Sequence, residues 1–290
     1  MEKDTLVIVG NGFDRHHDLE TEYKHYRKFL VETGHKDVVE KFERNECDDF
    51  DKDFLWNRME SIIGLLSYEN AYIYLKGYGD EDWSDSYHHD FQHEVKRLSE
   101  YWPEIKMYLN DWIINIKYTK PHENLMKLFT KNCEYISFNY TSTLEVLYDI
   151  DCKNIFYIHG NANRDEELVL GHANTSYYPE WDDNDENTDV RLLEAGQFME
   201  EFRKETLKRT NEIIEENKDY FISLKDVKKI YVLGLSYNEI DMPYLKTISQ
   251  ICKDAKWYFS WYIIDDLKSI SNYAKKIGAT KYTEIKIEEI

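Results

Sequence analysis

Seven short apolar runs, most of them ending at or next to a turn residue, punctuate the chain: "TLVIVG" from Thr5, "CEYISF" from Cys133, "NIFYIHG" from Asn154, "ELVLG" from Glu167, "KKIYVLG" from Lys228, "AKWYFSWYII" from Ala255 and "YTEIKI" from Tyr282. Several are too continuously apolar for a one-sided strand and predict strands buried on both faces. Between them the period changes. "FLWNRMESIIGLL", from Phe54, sets Leu55, Met59, Ile62 and Leu66 on one helical face, and "VRLLEAGQFMEEFRKETLKRTNEIIEEN", from Val190, reads as one long helical stretch. Strand alternating with helix predicts an α/β, Rossmann-like fold: a mostly parallel sheet with helices on both faces. The first strand ends near Gly10 and the next clear one begins near Glu134. A large helical insertion therefore follows the first strand. The pattern is that of a single domain over residues 1–290, with residues 35–121 as a helical insertion or lid. The acidic stretches Tyr78–Asp90 and Pro179–Asp189 read as loops, the second a candidate to close over a site.

Composition narrows the function classes. No run of about 18 apolar residues occurs and no secretory leader is visible, so a cytoplasmic protein without a membrane partner is expected. The formal net charge of −20 opposes a phosphate backbone at long range and makes nucleic acid an unlikely partner. Arg15, His16 and His17 remain as a local group able to hold one small anion. The cysteines Cys47, Cys133, Cys152 and Cys252 are scattered, and His88, His89 and His93 form the only helix-spaced histidine cluster. Neither pattern predicts a bound metal.

The most informative stretch is "LVIVGNGFDRHHDL", an apolar strand running into Gly10, Asn11 and Gly12. Glycines here allow a tight turn and close approach of a ligand, Asp14 or Asn11 suits a helix start, and exposed helix N–H groups attract anions. The full dinucleotide fingerprint would place a third glycine at position 15, where this chain has Arg15, so an ordinary NAD-dependent dehydrogenase fits poorly. A plain strand-to-helix turn explains the glycines equally well. Four further strand ends carry polar groups: Asn139, Tyr140 and Thr141; His159 and Gly160; Gly171 and His172; Gly234, Ser236 and Asp241. A parallel sheet gathers such ends along one edge, where ligands bind.

Taken in order, "IVGNGFD", Trp56 with Glu60, "FNYTSTLE", "IHGN", "LGHAN", "FRKETLKR" and "LGLSYNEIDMPYL" resemble the bacteriophage abortive infection AbiH family. That family is in turn similar to SIR2-like domains of the DHS-like NAD/FAD-binding group. The resemblance implies an antiphage effector that consumes NAD as its substrate. It implies a phosphate turn of Gly10, Asn11, Gly12 and Asp14, to which the basic group adds Arg15 and the strand ends add Tyr140, Thr141, Gly234, Ser236 and Asp241 as candidate nucleotide contacts. Asn139 would position the nicotinamide ribose and water, and His159 would be the general base, with His172 the alternative. Glu60 would be either an electrostatic stabiliser or a solvated or capping acid. The zinc-bearing cysteine module of the deacylases is missing, so NAD glycohydrolysis is the expected chemistry rather than protein deacetylation. Alternatives are a non-catalytic nucleotide-binding sensor or interaction module and, less well supported, a metal-dependent nuclease. An effector that harms its host is expected to await a phage or host protein trigger or a change in homo-oligomer.

Overall fold

The computed structural model describes residues 3–44, 51–67, 69–77, 79, 89–129, 132–173, 189–237 and 239–290. The acidic stretches expected as loops lie largely outside these residues, as do Cys47 and His88. The chain forms two compact units. Met1–Glu22, Asn110–Val169 and Arg209–Ile290 make the first; Tyr23–Leu109 and Leu170–Lys208 make the second. Among the described residues no helix is long and apolar enough to cross a membrane.

The first unit is built on a six-stranded sheet: β1 (Thr5–Val9), β2 (Cys133–Ser137), β3 (Ile155–Tyr157), β4 (Lys229–Leu233), β5 (Lys256–Trp261) and β6 (Tyr282–Lys286). The spatial order is β3-β2-β1-β4-β5-β6, and every neighbouring pair is parallel. The continuous apolar runs now have their cause, because successive side chains enter opposite layers. Leu6 and Ile8, with Ile136, Ile230, Val232, Trp257 and Phe259, pack on the helices Lys218–Ser223, Met242–Ile251 and Ile264–Ile277. Val7 and Val9, with Tyr135 and Leu233, face Phe13, Leu125 and Leu144 from the helices Asn11–His16, Glu123–Leu128 and Thr143–Tyr148. β1 pairs with β2 on one side and β4 on the other, so the strand order reverses there. That point is where an open α/β sheet opens a crevice at its carboxyl edge.

Three elements differ from the periodicity. "ELVLG" is not a strand: Val169 N–H donates to the His159 carbonyl at 2.9 Å, and the pairing that follows is an isolated bridge between His172 and Leu207. Its apolar character serves burial, with Leu170 6 % exposed, instead of sheet pairing. The long helical stretch is two helices, Val190–Thr206 and Thr210–Glu216, because Leu207 turns extended (φ −74°, ψ 124°) to pair with His172. No glycine or proline marks that break; a tertiary partner makes it. The "FLWNRMESIIGLL" segment is likewise divided at Arg58 into Lys52–Asn57 and Met59–Ile63. Leu55, Met59 and Leu66 are buried as expected, Ile62 is half-buried, and Trp56 and Ile63 are fully buried.

The second unit is helical. Trp56 sits at its centre, with ring centroids 4.8 Å from Phe42 and 6.0 Å from Tyr26. Glu194 of the Val190–Thr206 helix accepts from Gln92 at 3.0 Å, and Arg191 donates to the Lys76 carbonyl at 2.7 Å. The second chain segment of this unit is thereby tied to the first.

Candidate functional site

The turn after β1 packs against the turn after β4. Gly10 N–H donates to Leu233 O at 3.0 Å and Gly12 N–H donates to Gly234 O at 2.7 Å. A Cβ on Gly12 would lie 2.7 Å from Gly234 O and 2.8 Å from its Cα, and one on Gly234, at φ +66°, would lie 2.0 Å from Phe13 N. The glycines therefore let two backbones touch at the reversal of strand order. The Gly12 amide, the donor that a dinucleotide fingerprint offers to a pyrophosphate, is engaged by the protein itself. Asn11 is exposed and its side-chain amide donates to Thr21 O at 3.1 Å; Arg15 is exposed, 3.6 Å from Glu22.

The basic character expected beside this turn is reduced to Arg15. Burial, reinforced by His122, pushes His16 below the ordinary imidazole range. Burial also pushes His17 down to about 4, with the neighbouring histidines adding to it against the Phe13 carbonyl. Both rings are thus largely uncharged at neutral pH. The two His17 nitrogens are held by Phe13 O at 2.7 Å and the Tyr148 hydroxyl at 2.6 Å.

Beneath the turn lies Asp14, 1 % exposed. Its two carboxyl oxygens accept from Thr141 Oγ1 at 2.6 Å and Thr143 Oγ1 at 2.7 Å. Burial raises its pKa to about 6, opposed by the two threonine hydroxyls and the Asn139 amide. This lock gives "GNGFD" and "FNYTST" a common reason to occur together. Asn139, at the end of β2, donates from Nδ2 to Gly10 O at 3.0 Å, while its Oδ1 is buried without a hydrogen-bond partner among the described residues. Tyr140 donates its hydroxyl to Val169 O at 2.9 Å.

His159 follows β3 and is 2 % exposed. Its ring stands edge-on to Phe138 at 5.3 Å and to Tyr244 at 5.7 Å. Nε2 lies 3.6 Å from Asp241 Oδ1. Gly234 donates its N–H to Ser260 Oγ at 2.8 Å, and Ser236 is exposed. Asn139 is thus bonded to Gly10, Gly12 to Gly234 and Thr141 to Asp14, and His159 stands beside Asp241.

His172 and Glu60 belong to the second unit. His172 is 2 % exposed, its backbone pairs with Thr206 O and Lys208 N, and its ring lies so close to Gly64 that a Cβ there would be 2.7 Å from Cγ. Glu60 accepts from the Tyr23 hydroxyl at 2.5 Å and lies 3.4 Å from Lys208 Nζ. Sequence reasoning passed over Thr143, Lys208 and Tyr244. Thr143 was readable as a second hydroxyl two positions after Thr141; Lys208 and Tyr244 lie inside helical patterns that gave no reason to single them out.

Residues 6–261 match the bacteriophage abortive infection AbiH family, a span running from β1 to the end of β5. The chain belongs to that family. The matched span takes in the β1 turn, the Asp14 lock, and both His159 and His172. Membership associates this AbiH-family chain with phage abortive infection. No curated protein matches it.

Proposed function

We propose that this AbiH-family protein acts in abortive infection by hydrolysing the nicotinamide–ribose bond of NAD. One observation carries the reading: Asn139 and His159 stand at the carboxyl ends of neighbouring strands, both buried, with Asn139 Oδ1 lacking a partner among the described residues. A buried, unsatisfied acceptor is costly, and such exceptions occur where a ligand completes them. In the proposed reaction the C1′–N bond breaks, nicotinamide leaves with the bonding pair, and water adds to C1′. His159 takes the proton released by that water, and Asn139 Oδ1 accepts from a ribose hydroxyl or from the water. Proton transfer by a positioned imidazole contributes on the order of 10²- to 10⁴-fold in rate. Preorganised dipoles in a dry site stabilise the oxocarbenium-like transition state.

The diphosphate is not assigned to the Gly12 amide, which Gly234 already holds. Asn11, Arg15 and Ser236, all exposed, are the groups this reading leaves for the phosphate side. A second reading, a nucleotide-binding sensor without chemistry, is favoured by the closed β1 turn and by the burial of His159. In either reading a phage or host protein, or a change in oligomeric state, acts as the trigger.

The test is free nicotinamide, followed by chromatography after incubation with NAD, for wild type, His159→Gln and Asn139→Ala, with calorimetric titration of NAD alongside. The glycohydrolase reading expects release by wild type and loss in both variants at unchanged far-UV circular dichroism. Equal release from all three would refute the assigned roles. Saturable binding without product would favour the sensor.

A further inference from the structure

The strand-edge reading of the sequence gives Asp241 to nucleotide binding, but its surroundings point elsewhere. Asp241 occupies the N-cap of the Met242–Ile251 helix, a position where aspartate ordinarily accepts from the first-turn amides, and its side chain makes no cap hydrogen bond. The carboxyl is turned to the imidazole of His159, with Oδ1 3.6 Å from Nε2, just beyond hydrogen-bond length. Both side chains are buried, so their mutual attraction is weakly screened.

The surroundings hold this pair in register. Tyr244, one turn along the same helix, and Phe138, just beyond β2, set their rings edge-on to the imidazole, and Val169 N–H fixes the His159 carbonyl. Tyr273, on the Ile264–Ile277 helix, lies within reach of the Asp241 charge. Burial, with the charge of Asp241 added, pushes its hydroxyl above the ordinary phenol range, so it stays protonated. Among the described residues, the groups packed against His159 include one carboxylate and the rings of Phe138 and Tyr244.

We infer that Asp241 is a positioning residue for His159, holding the proton on Nε2 so that Nδ1 is the basic nitrogen, and that it stabilises the imidazolium once a proton is taken up. Which imidazole nitrogen carries the proton is set by what the other one faces. A carboxylate at Nε2 fixes the tautomer and favours the charged ring. The inference deepens the glycohydrolase reading and rests on it for the catalytic consequence; the pairing itself is testable without turnover.

The experiment combines NMR titration of histidine-labelled full-length protein with NAD turnover, for wild type, Asp241→Asn and Asp241→Ser. The serine variant restores a helix cap without a carboxylate and keeps the test open if the asparagine variant folds poorly. His159 is identified as the ring signal lost in His159→Gln. In the folded variants the His159 midpoint is expected to fall by about one pH unit or more. Turnover is expected to fall about 100-fold or more, in kcat with KM within about threefold, as for a group that acts through the base. An unchanged His159 midpoint in a folded variant overturns the inference. If turnover is also unchanged there while His159→Gln is inactive, the glycohydrolase reading survives without Asp241. If wild type releases no nicotinamide but its His159 midpoint follows Asp241, the glycohydrolase reading fails and the pairing stands.

Discussion

Replacing Asp14 by asparagine isolates a single buried ionisation. In the folded protein its pKa is about 6 against an ordinary 3.8, because burial outweighs the hydrogen bonds from Thr141, Thr143 and Asn139. A raised carboxyl pKa means that the folded state holds the proton more tightly than the unfolded chain does. Between the two values stability therefore falls as pH rises, and it levels off above about 6. The shift of about two units corresponds to a loss of about 3 kcal/mol, of which about 1 kcal/mol falls between about pH 5 and about pH 7.5. Asp14→Asn keeps the shape and cannot ionise. Its stability relative to wild type should thus climb by that amount over the window, whatever the fixed cost of exchanging one threonine hydrogen bond. Urea unfolding of both proteins at matched pH values measures it. Parallel curves would refute the picture of a carboxyl that burial penalises more than its hydroxyl donors compensate. Thr141→Val, by removing one donor to the charged form, should move the falling limb to higher pH.

Two further perturbations test the packing within each unit. Gly12→Ala should destabilise by about 1–3 kcal/mol through overpacking, and Gly234→Ala by more, since its backbone is left-handed; because both jam the same contact, their costs in urea unfolding should not add. In the helical unit, Glu60→Ala removes one carboxylate from beside the buried Lys208 ammonium and should cost about 1–3 kcal/mol in urea unfolding, a cost that should shrink in a Lys208→Met background. Additive costs in that pair would show that the ion pair is not a unit.

Most residues of the candidate site were named from the sequence, but not their contacts. Asn139 and His159 were readable as polar groups just past apolar strands, the histidine being the less expected there, whereas Asp241 stands well beyond β4 at a helix start. Their order in the chain did not show their partners. Asp14 read as a helix start or phosphate group, and only the approach of β2 to β1 engages both its oxygens with threonines. His16 and His17 read as local positive charge, and burial removes it.

What the sequence determined by itself is the parallel α/β architecture, since apolar runs buried on both faces have few other arrangements, and the membership of a family through motifs spread over nearly the whole chain. What only the tertiary structure decided is where cooperation overrides local preference. A helical pattern stops at Thr206 because Leu207 finds His172, and the second glycine of the β1 turn serves Gly234. A cap aspartate turns from its own helix to a histidine 82 positions earlier in the chain. Periodicity registers which face of an element is apolar. It carries no record of which distant backbone or side chain takes up a polar group, and at this sheet edge those long-range contacts set the chemistry available.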